Sequence, residues 1–166
     1  MTDTVMVDIR GEVAVVTLNR PETANTLNLA MGRDLLTAAL RCEADPAVRA
    51  VVLTGAGKAF CFGGDLRGMT SSGTPIEPYL KELTTHLHAA IARFMRMDAP
   101  VIAAVNGTTA GAGVGLVAMA DLAIMAAGAK ISLAYTGVGL TPDGGTSFLL
   151  PRAVGAKRAM ELIMTN

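Results

Sequence analysis

The hydrophobic pattern of the chain switches repeatedly between short apolar runs and longer stretches in which apolar residues recur every three or four positions. The short runs predict strands and the longer stretches predict helices. Because the two kinds of element alternate, the sequence predicts an α/β fold in which helical crossovers connect a parallel or mixed sheet. The predicted strands are residues 5–10, 13–19, 50–54, 101–105 and 122–125, and the last three are predicted to be buried.

Local capping signals predict where the two longest helices begin. Asn28 is a predicted N-cap for the first of them. Thr74, Pro75 and Glu77 predict the second start, with a capping hydroxyl, a proline at the first helical position and a carboxylate that reaches back. The buried stripe predicted for this second helix is Leu80, Leu83, Leu87, Ala90, Ile91 and Phe94. Shorter helices are predicted at residues 111–120, 147–150 and 155–164.

Composition fits one domain with its own core and excludes several classes of function. The chain has 166 residues, of which 51% are hydrophobic and 17% charged, and its 14 Lys+Arg balance its 14 Asp+Glu. Zero net charge without a basic run argues against a nucleic-acid partner. Cys42 and Cys61 lie outside any ligand-like spacing, and no His/Asp/Glu cluster suggests a metal site. The low charged fraction suggests that part of the surface of this chain is covered by other protein.

The cellular compartment is predicted from two further features. The N-terminus lacks the layout of a signal peptide, so a reducing cytoplasm is expected. The apolar stretch at residues 101–127 is long enough to cross a membrane. Asn106, four glycines and Asp121 interrupt it, however, and a carboxylate is costly inside a bilayer. This stretch is therefore predicted to be buried protein structure rather than a membrane span.

Two glycine-rich segments each follow a predicted buried strand: GKAFCFGGDL follows residues 50–54, and NGTTAGAGVGL follows residues 101–105. Glycine allows main-chain N–H groups to approach a ligand closely. Loops on neighbouring parallel strands can direct two such donors at one point, and the second loop also opens a helix. Together the segments predict an oxyanion hole. Tight packing of strand against helix is the alternative for either segment taken alone.

The sequence contains partial matches to two familiar nucleotide-binding motifs, and both matches lack required residues. GAGVGL lacks the acidic residue that a dinucleotide-binding fingerprint places about 20 residues further on. GAGK resembles the end of a phosphate-binding loop, but Ala59 follows Lys58 where Ser or Thr is required. Val52 also stands where the first glycine of that loop belongs. A nicotinamide-dependent enzyme and an NTPase are both disfavoured.

Five segments, taken in order, resemble the crotonase superfamily, which is the enoyl-CoA hydratase/isomerase family. They are LNRPETANTLN, VVLTGAGKAFCFGGDL, PVIAAVNGTTAGAGVGL, ADLAI and GLTPDGGTSFLLPRAVGAKRAMEL, and the resemblance around them extends from about residue 10 to the last residue. The resemblance implies a spiral of βαβ units that binds an acyl-CoA thioester. Coenzyme A is then part of the substrate, and no separate cofactor is implied.

The same resemblance, carried over position by position, gives a candidate site. The N–H groups of Gly64 and Ala112 are the implied donors of the oxyanion hole. Lys58 and Arg67 are the nearest cations for the coenzyme phosphates. Each coenzyme-binding candidate has a solvated or packing role as its alternative. The candidates for lining the adenine and pantetheine are Ala24, Lys58, Gly63, Asp65 and Leu66.

The type of reaction is inferred from the acidic residues. Hydratases of the family use two glutamates, and the matching positions here hold Gly115 and Tyr135. Asp143, in LTPDGG, resembles the proposed base of isomerase-type members, including the ring-epoxide isomerase of phenylacetyl-CoA breakdown. A single base can move a proton from one carbon to another. An isomerase that shifts a double bond or opens a ring next to the thioester is therefore expected.

Several alternatives remain open. The enzyme could be a hydratase-like lyase with an atypical base, or the chain could be a non-catalytic acyl-CoA binder. Asp143 could be a turn residue after Pro142, and Tyr135 could either donate a hydrogen bond to the intermediate or form a wall of the acyl pocket. His86 and His88 lie off the apolar stripe, so exposure is expected for both. Asp65 and Asp121 are expected to cap main-chain donors.

Domain organisation and assembly follow from the same resemblance. Family members continue past ELIMTN with further helices, so residues 1–166 are expected to be a single N-terminal spiral core that lacks this C-terminal part. A homotrimer, often paired into a hexamer, is implied for the full-length protein. Selectivity for the acyl tail is expected to come from residues 69–79 and from the further helices.

Overall fold

The computed structural model describes residues 4–166, which form eight strands, six α-helices and two short 3-10 helices, Pro21–Thr23 and Thr136–Val138. The strands are β1 (Val5–Arg10), β2 (Val13–Leu18), β3 (Ala50–Gly55), β4 (Ala59–Cys61), β5 (Val101–Val105), β6 (Thr108–Ala110), β7 (Leu122–Met125) and β8 (Ile131–Ser132). The helices are α1 (Leu29–Ala44), α2 (Leu66–Ser71), α3 (Ile76–Phe94), α4 (Ala112–Ala118), α5 (Thr146–Val154) and α6 (Ala156–Thr165).

The chain winds as a spiral in which each turn adds one strand to each of two sheets. The larger sheet has the order β1-β2-β3-β5-β7 and the smaller one the order β4-β6-β8. Strands β1 and β2 are antiparallel, and every other pair is parallel. Since β3, β5 and β7 are followed directly by β4, β6 and β8, successive turns stack in register. This architecture confirms the predicted α/β fold and the expected βαβ spiral.

The core lies between the larger sheet and the helices α1 and α3. Ala14, Val16 and Leu18 alternate along β2 and are fully buried on one face, as expected of a half-buried strand. Leu35 of α1 and Leu87 of α3 belong to the same buried cluster as these strand residues. The long helix α3 is therefore fixed against both the sheet and α1, which makes it a firm wall for whatever lies beside it.

One of the two predicted helix starts is confirmed and the other is wrong. The Asn28 side chain accepts a hydrogen bond from Met31 N at 2.9 Å and caps α1. Helix α3 begins at Ile76, and its N-cap is Pro75, whose φ of −53° and ψ of 141° exclude it from the first turn. Thr74 N donates to Ser72 Oγ, and Glu77 pairs with Lys81 instead of reaching back.

Strand β7 is exposed, so the prediction that it is buried is wrong. Leu122 is 63% exposed and Ile124 69% exposed. The strand pairs with β5 alone and forms the edge of the larger sheet, and within residues 4–166 nothing covers its faces. A short apolar run has the same composition at an edge as at the centre of a sheet.

The apolar stretch at residues 101–127 divides into β5, β6, α4 and β7. Within residues 4–166, no helix is both long enough and apolar enough to cross a bilayer.

A buried asparagine ties the turn after β2 to the loop between β3 and β4. Asn25 is fully buried, and its Oδ1 accepts a hydrogen bond from Arg20 N at 2.8 Å. Its Nδ2 donates to the carbonyl oxygens of Ala56 and Ala59, both at 2.9 Å. Its φ of 57° lies in the left-handed region, which asparagine tolerates better than most residues. This side chain fixes the start of the first glycine-rich segment.

Asn25→Ala is expected to lower the free energy of unfolding by about 3 kcal/mol, because Arg20 N and Ala56 O lose this partner and Ala59 O keeps only the longer bond from Asn106 Nδ2, at 3.3 Å. Urea denaturation measures the change. Glu22→Ala, at an exposed position in the same turn, is the matched control and should change stability by less than about 0.5 kcal/mol. Equal losses in the two variants would contradict the anchoring role of Asn25.

Candidate active site

The two glycine-rich segments meet in direct contact at Gly63. This residue has a φ of +77°, and a Cβ placed on it would lie 2.9 Å from Ala110 O and 3.0 Å from Ala112 N. Both distances are shorter than a normal contact, so only glycine fits this position. The peptide that joins Gly63 to Gly64 therefore lies directly beside the start of α4.

Main-chain hydrogen bonds hold the first segment on both sides of Gly64. Phe62 N donates to Ala24 O at 3.1 Å, and Asp65 N donates to Leu27 O at 2.9 Å. The Asp65 carboxylate accepts from Gly68 N at 2.9 Å, which confirms that it caps a helix. The same carboxylate pairs with Arg20 at 3.0 Å. These contacts fix the backbone around Gly64 without using its own N–H group.

The N–H groups of Gly64 and Ala112 share a further property. Within the part of the chain that the structure describes, neither donates to a protein acceptor. Ala112 is the first residue of α4, and the first N–H groups of a helix have no partner inside it. Two preformed donors are thus free to bind an acceptor that is not part of this chain.

Both residues line one cavity of about 410 Å³. The cavity is mainly apolar, and its polar side chains are those of Thr70, Thr84, Tyr135 and Asp143. An apolar cavity with a few convergent polar groups is typical of a small-molecule site. The residues that line it are Leu27, Phe62, Gly64, Leu66, Met69, Thr70, Ile76, Leu80, Leu83, Thr84, Leu87, Gly111, Ala112, Ala134, Tyr135, Val138, Leu140 and Asp143.

Tyr135 and Asp143 are hydrogen-bonded to each other in the wall of this cavity. The Tyr135 hydroxyl donates to Asp143 Oδ1 at 3.0 Å and lies 3.4 Å from Thr146 Oγ1. The tyrosine side chain is buried, and burial together with the adjacent Asp143 charge raises the pKa of Tyr135 well above its usual value. The hydroxyl therefore stays protonated and acts as a donor.

Main chain fills the space beside Gly115, the first position at which the resemblance implies a glutamate in hydratases. A Cβ on residue 115 would lie 2.0 Å from Gly144 O and 3.1 Å from Thr146 Oγ1. Since the obstacle is a carbonyl group of the backbone, rotation of a side chain cannot relieve it. A glutamate at position 115 requires a different path for residues 143–146.

The structure brings together five of the residues singled out from the sequence. Those that line the cavity are Gly64, Leu66, Ala112, Tyr135 and Asp143. The other candidates, Ala24, Lys58, Gly63 and Asp65, are not among the described residues that line it. Lys58 and Arg67 are both exposed, and the Asp65 side chain is occupied by Arg20 and Gly68 N.

Sequence reasoning missed the apolar wall that α2 and α3 supply. Leu83 and Leu87 are buried, as the predicted stripe requires, and Leu80 is partly buried, but all three also line the cavity. Met69 and Ile76 also line it, and they lie in the segment expected to select the acyl tail. In the sequence, the expectation that residues 69–79 select the acyl tail was the one signal for this wall. A leucine stripe alone does not distinguish a core from a pocket.

The remaining candidates lie elsewhere. His88 is exposed, as expected, and His86 is partly buried; His88 also lines a second, open cleft of about 460 Å³ to which Asp143 contributes. Cys61 is fully buried, and burial raises the pKa of its thiol to about 12, so it is not a thiolate. No group of three His, Cys, Asp or Glu side chains in residues 4–166 is arranged to hold a metal ion.

The chain belongs to the enoyl-CoA hydratase/isomerase family, whose sequence model matches residues 8–166. It is 43% identical over 161 residues to a probable enoyl-CoA hydratase of Rhodobacter capsulatus, covering 97% of this chain and 61% of that protein. It is 37% identical over 165 residues to the 1,2-epoxyphenylacetyl-CoA isomerase of Escherichia coli, covering 99% and 62%. The crystal structure of an enoyl-CoA hydratase from Bacillus anthracis matches with a TM-score of 0.91 at 34% identity, covering 98% and 63%.

These matches establish the crotonase fold of the chain. They also show that the chain spans about three fifths of the length of the curated relatives that it matches.

Gly63→Ala and Gly64→Ala form a matched pair that tests the contact between the segments. Alanine at 63 meets backbone at 2.9 Å with a positive φ, whereas alanine at 64 meets only the flexible end of Met69. Gly63→Ala is expected to destabilise the fold by about 3 kcal/mol and Gly64→Ala by less than about 1 kcal/mol. Urea denaturation measures both, and a reversed order would contradict the described approach of the two loops.

Proposed function

We propose that this chain binds an acyl-CoA thioester in the apolar cavity and catalyses an isomerisation beside the thioester, either a double-bond shift or a ring opening. One observation carries the proposal. Asp143 is the one carboxylate among the described residues that line the cavity, and Gly64 and Ala112, whose N–H groups have no protein acceptor, line the same cavity. In this proposal Asp143 is the base and the two N–H groups are the oxyanion donors.

The chemistry follows from the weak acidity of carbon next to a thioester. Asp143 removes a proton from that carbon, or from the allylic carbon conjugated with it, and negative charge develops on the thioester oxygen. Main-chain donors directed at this oxygen stabilise the enolate more than the substrate, each by about 3 kcal/mol. Asp143 then returns the same proton to a carbon two positions away. The net change is a shifted double bond, with no water or cofactor consumed.

The structure of the cavity favours isomerisation over hydration. Water addition by the two-glutamate route needs one carboxylate to activate water and another to deliver a proton. Gly115 is closed off by Gly144 O, and Tyr135 is a neutral hydroxyl already donating to Asp143. A lyase that uses Asp143 as an atypical base is the second enzymatic candidate, and a binder without turnover is the non-catalytic one.

Three further parts of the proposal concern the rest of the substrate and the setting. Lys58 and Arg67 are exposed on the first glycine-rich segment and the helix that follows it. We assign them to the coenzyme phosphates, with Ala24, Gly63, Asp65 and Leu66 nearer the adenine and pantetheine. A cytoplasmic protein that assembles as a trimer or hexamer is the proposed setting, in keeping with the resemblance set out above.

The test uses a 3-enoyl-CoA and a 2-enoyl-CoA, with the absorbance of the conjugated thioester as the readout. Conversion of the 3-enoyl compound is expected, and Asp143→Asn should slow it by about 10³-fold, because the base is lost. Asp98→Asn changes an exposed carboxylate away from the cavity and should retain turnover. Full turnover by Asp143→Asn would remove Asp143 from the mechanism, and binding without turnover of either thioester would favour the binder.

Gly115→Glu is not expected to create a hydratase. The new Cβ meets Gly144 O at 2.0 Å, so the variant should lose about 3 kcal/mol or more of stability. Its thermal unfolding midpoint should fall, and 2-enoyl-CoA should remain unhydrated. A stable variant that hydrates 2-enoyl-CoA would show that residues 143–146 can move aside.

A further inference from the structure

The segment between β8 and α5 folds back on itself and brings two residues eight positions apart into contact. Val138 N and Leu140 N both donate to Tyr135 O, at 3.1 and 3.0 Å. Thr146 N donates to Asp143 O at 2.8 Å. Main-chain bonds at both ends of the segment thus set the separation between the Tyr135 ring and the Asp143 side chain.

The Tyr135 hydroxyl already donates its proton in a hydrogen bond within the chain. A tyrosine hydroxyl has one proton to donate, and here its neighbours are Asp143 Oδ1 at 3.0 Å, Asp143 O at 3.2 Å and Thr146 Oγ1 at 3.4 Å. Thr146 is fully buried, and the tyrosine is only 5% exposed. The hydroxyl is therefore held toward Asp143 and has no second proton for a substrate oxygen.

The two oxygens of the Asp143 carboxylate are consequently not equivalent. Oδ1 accepts the tyrosine hydroxyl, whereas Oδ2 accepts from no donor in residues 4–166. A hydrogen bond to one oxygen fixes the rotation of the carboxylate. The other oxygen keeps its lone pairs for a proton from carbon.

We propose that Tyr135 is a positioning residue: by donating to Asp143 Oδ1 it fixes the rotation of the carboxylate and makes Oδ2 the oxygen that takes and returns the substrate proton. This inference rests on the proposed role of Asp143 as the base. In the step itself, Oδ2 forms a bond to hydrogen as the carbon–hydrogen bond breaks, and the electron pair moves to the thioester oxygen. Tyr135 keeps its own proton throughout.

Tyr135→Phe removes the donor and keeps the ring, and the matched control is Tyr79→Phe at the only other tyrosine of the chain, which is also buried. Loss of one hydrogen bond to a charged group should lower kcat for the 3-enoyl-CoA by about 10- to 100-fold with little change in KM. Tyr79→Phe should leave both parameters within about twofold, since Tyr79 does not line the cavity.

The split between kcat and KM separates positioning from a merely structural role. A structural loss at Tyr135 should disturb the cavity that this residue lines and raise KM, whereas a lost positioning bond should lower kcat alone. A raised KM with an unchanged kcat would overturn the proposal.

A double-mutant cycle tests whether Tyr135 acts through Asp143. In the Asp143→Asn background, Tyr135→Phe should cause no further loss of the residual turnover. An equal loss in both backgrounds would mean that the hydroxyl acts on the intermediate directly. Full turnover by Asp143→Asn alone would refute the proposed function, whereas kinetics of Tyr135→Phe equal to those of Tyr79→Phe would refute only the positioning role.

Thr146 offers a second route to the same question should Tyr135→Phe fold poorly. Thr146→Val removes the hydroxyl beside Tyr135, and Thr146→Ser retains it. The valine variant should lower kcat by a smaller amount than Tyr135→Phe does, while the serine variant should match the parent. Identical kinetics for the two variants would count against a role of the Thr146 hydroxyl in holding Tyr135 toward Asp143.

Discussion

Residue 63 has no side chain, and this lets its backbone lie directly against the backbone at Ala112. The rest of this structure depends on that close approach. Parallel pairing of β3 with β5 brings their following segments side by side, and the close approach at Gly63 then brings Gly64 and Ala112 into the lining of one cavity. Because the N–H groups of these two residues belong to the backbone, their positions are set by the fold and are insensitive to the side chains nearby. In the proposed function the chemistry depends on main-chain geometry first and on Asp143 second.

The loops after the sheet strands and the helices α2 and α3 form different parts of the site. The sheet ends and the loops after them are held by dense main-chain hydrogen bonding, which suits groups that must not move when charge develops. The wall on α2 and α3 is mainly apolar, with Thr70 and Thr84 as its polar side chains. In the proposed function the main-chain donors and Asp143 determine the reaction, and this wall determines what shape of acyl group fits.

Much of the fold was predictable because its signals are local. Asn28 caps α1 through its own side chain, and the strand pattern needs only period-two alternation. The predictions failed where the answer lies in distant parts of the chain. Strands β4, β6 and β8 have two or three residues each and show no period, and the start of α3 depends on Pro75 remaining extended. The site donors came from the family resemblance, whereas the bond between Tyr135 and Asp143 requires the closed loop that only the structure reveals.

The open edge formed by β7 has a consequence for the behaviour of the protein in solution. An unpaired strand edge exposes a row of main-chain donors and acceptors that another strand can join, and here Leu122 and Ile124, which share one face of the strand, are apolar and exposed. Pairing of another strand with β7 would bury this apolar surface and, at the same time, satisfy the main-chain donors and acceptors at its free edge. We therefore expect the isolated 166-residue chain to self-associate more as its concentration rises, so its behaviour depends on protein concentration as well as on temperature and denaturant.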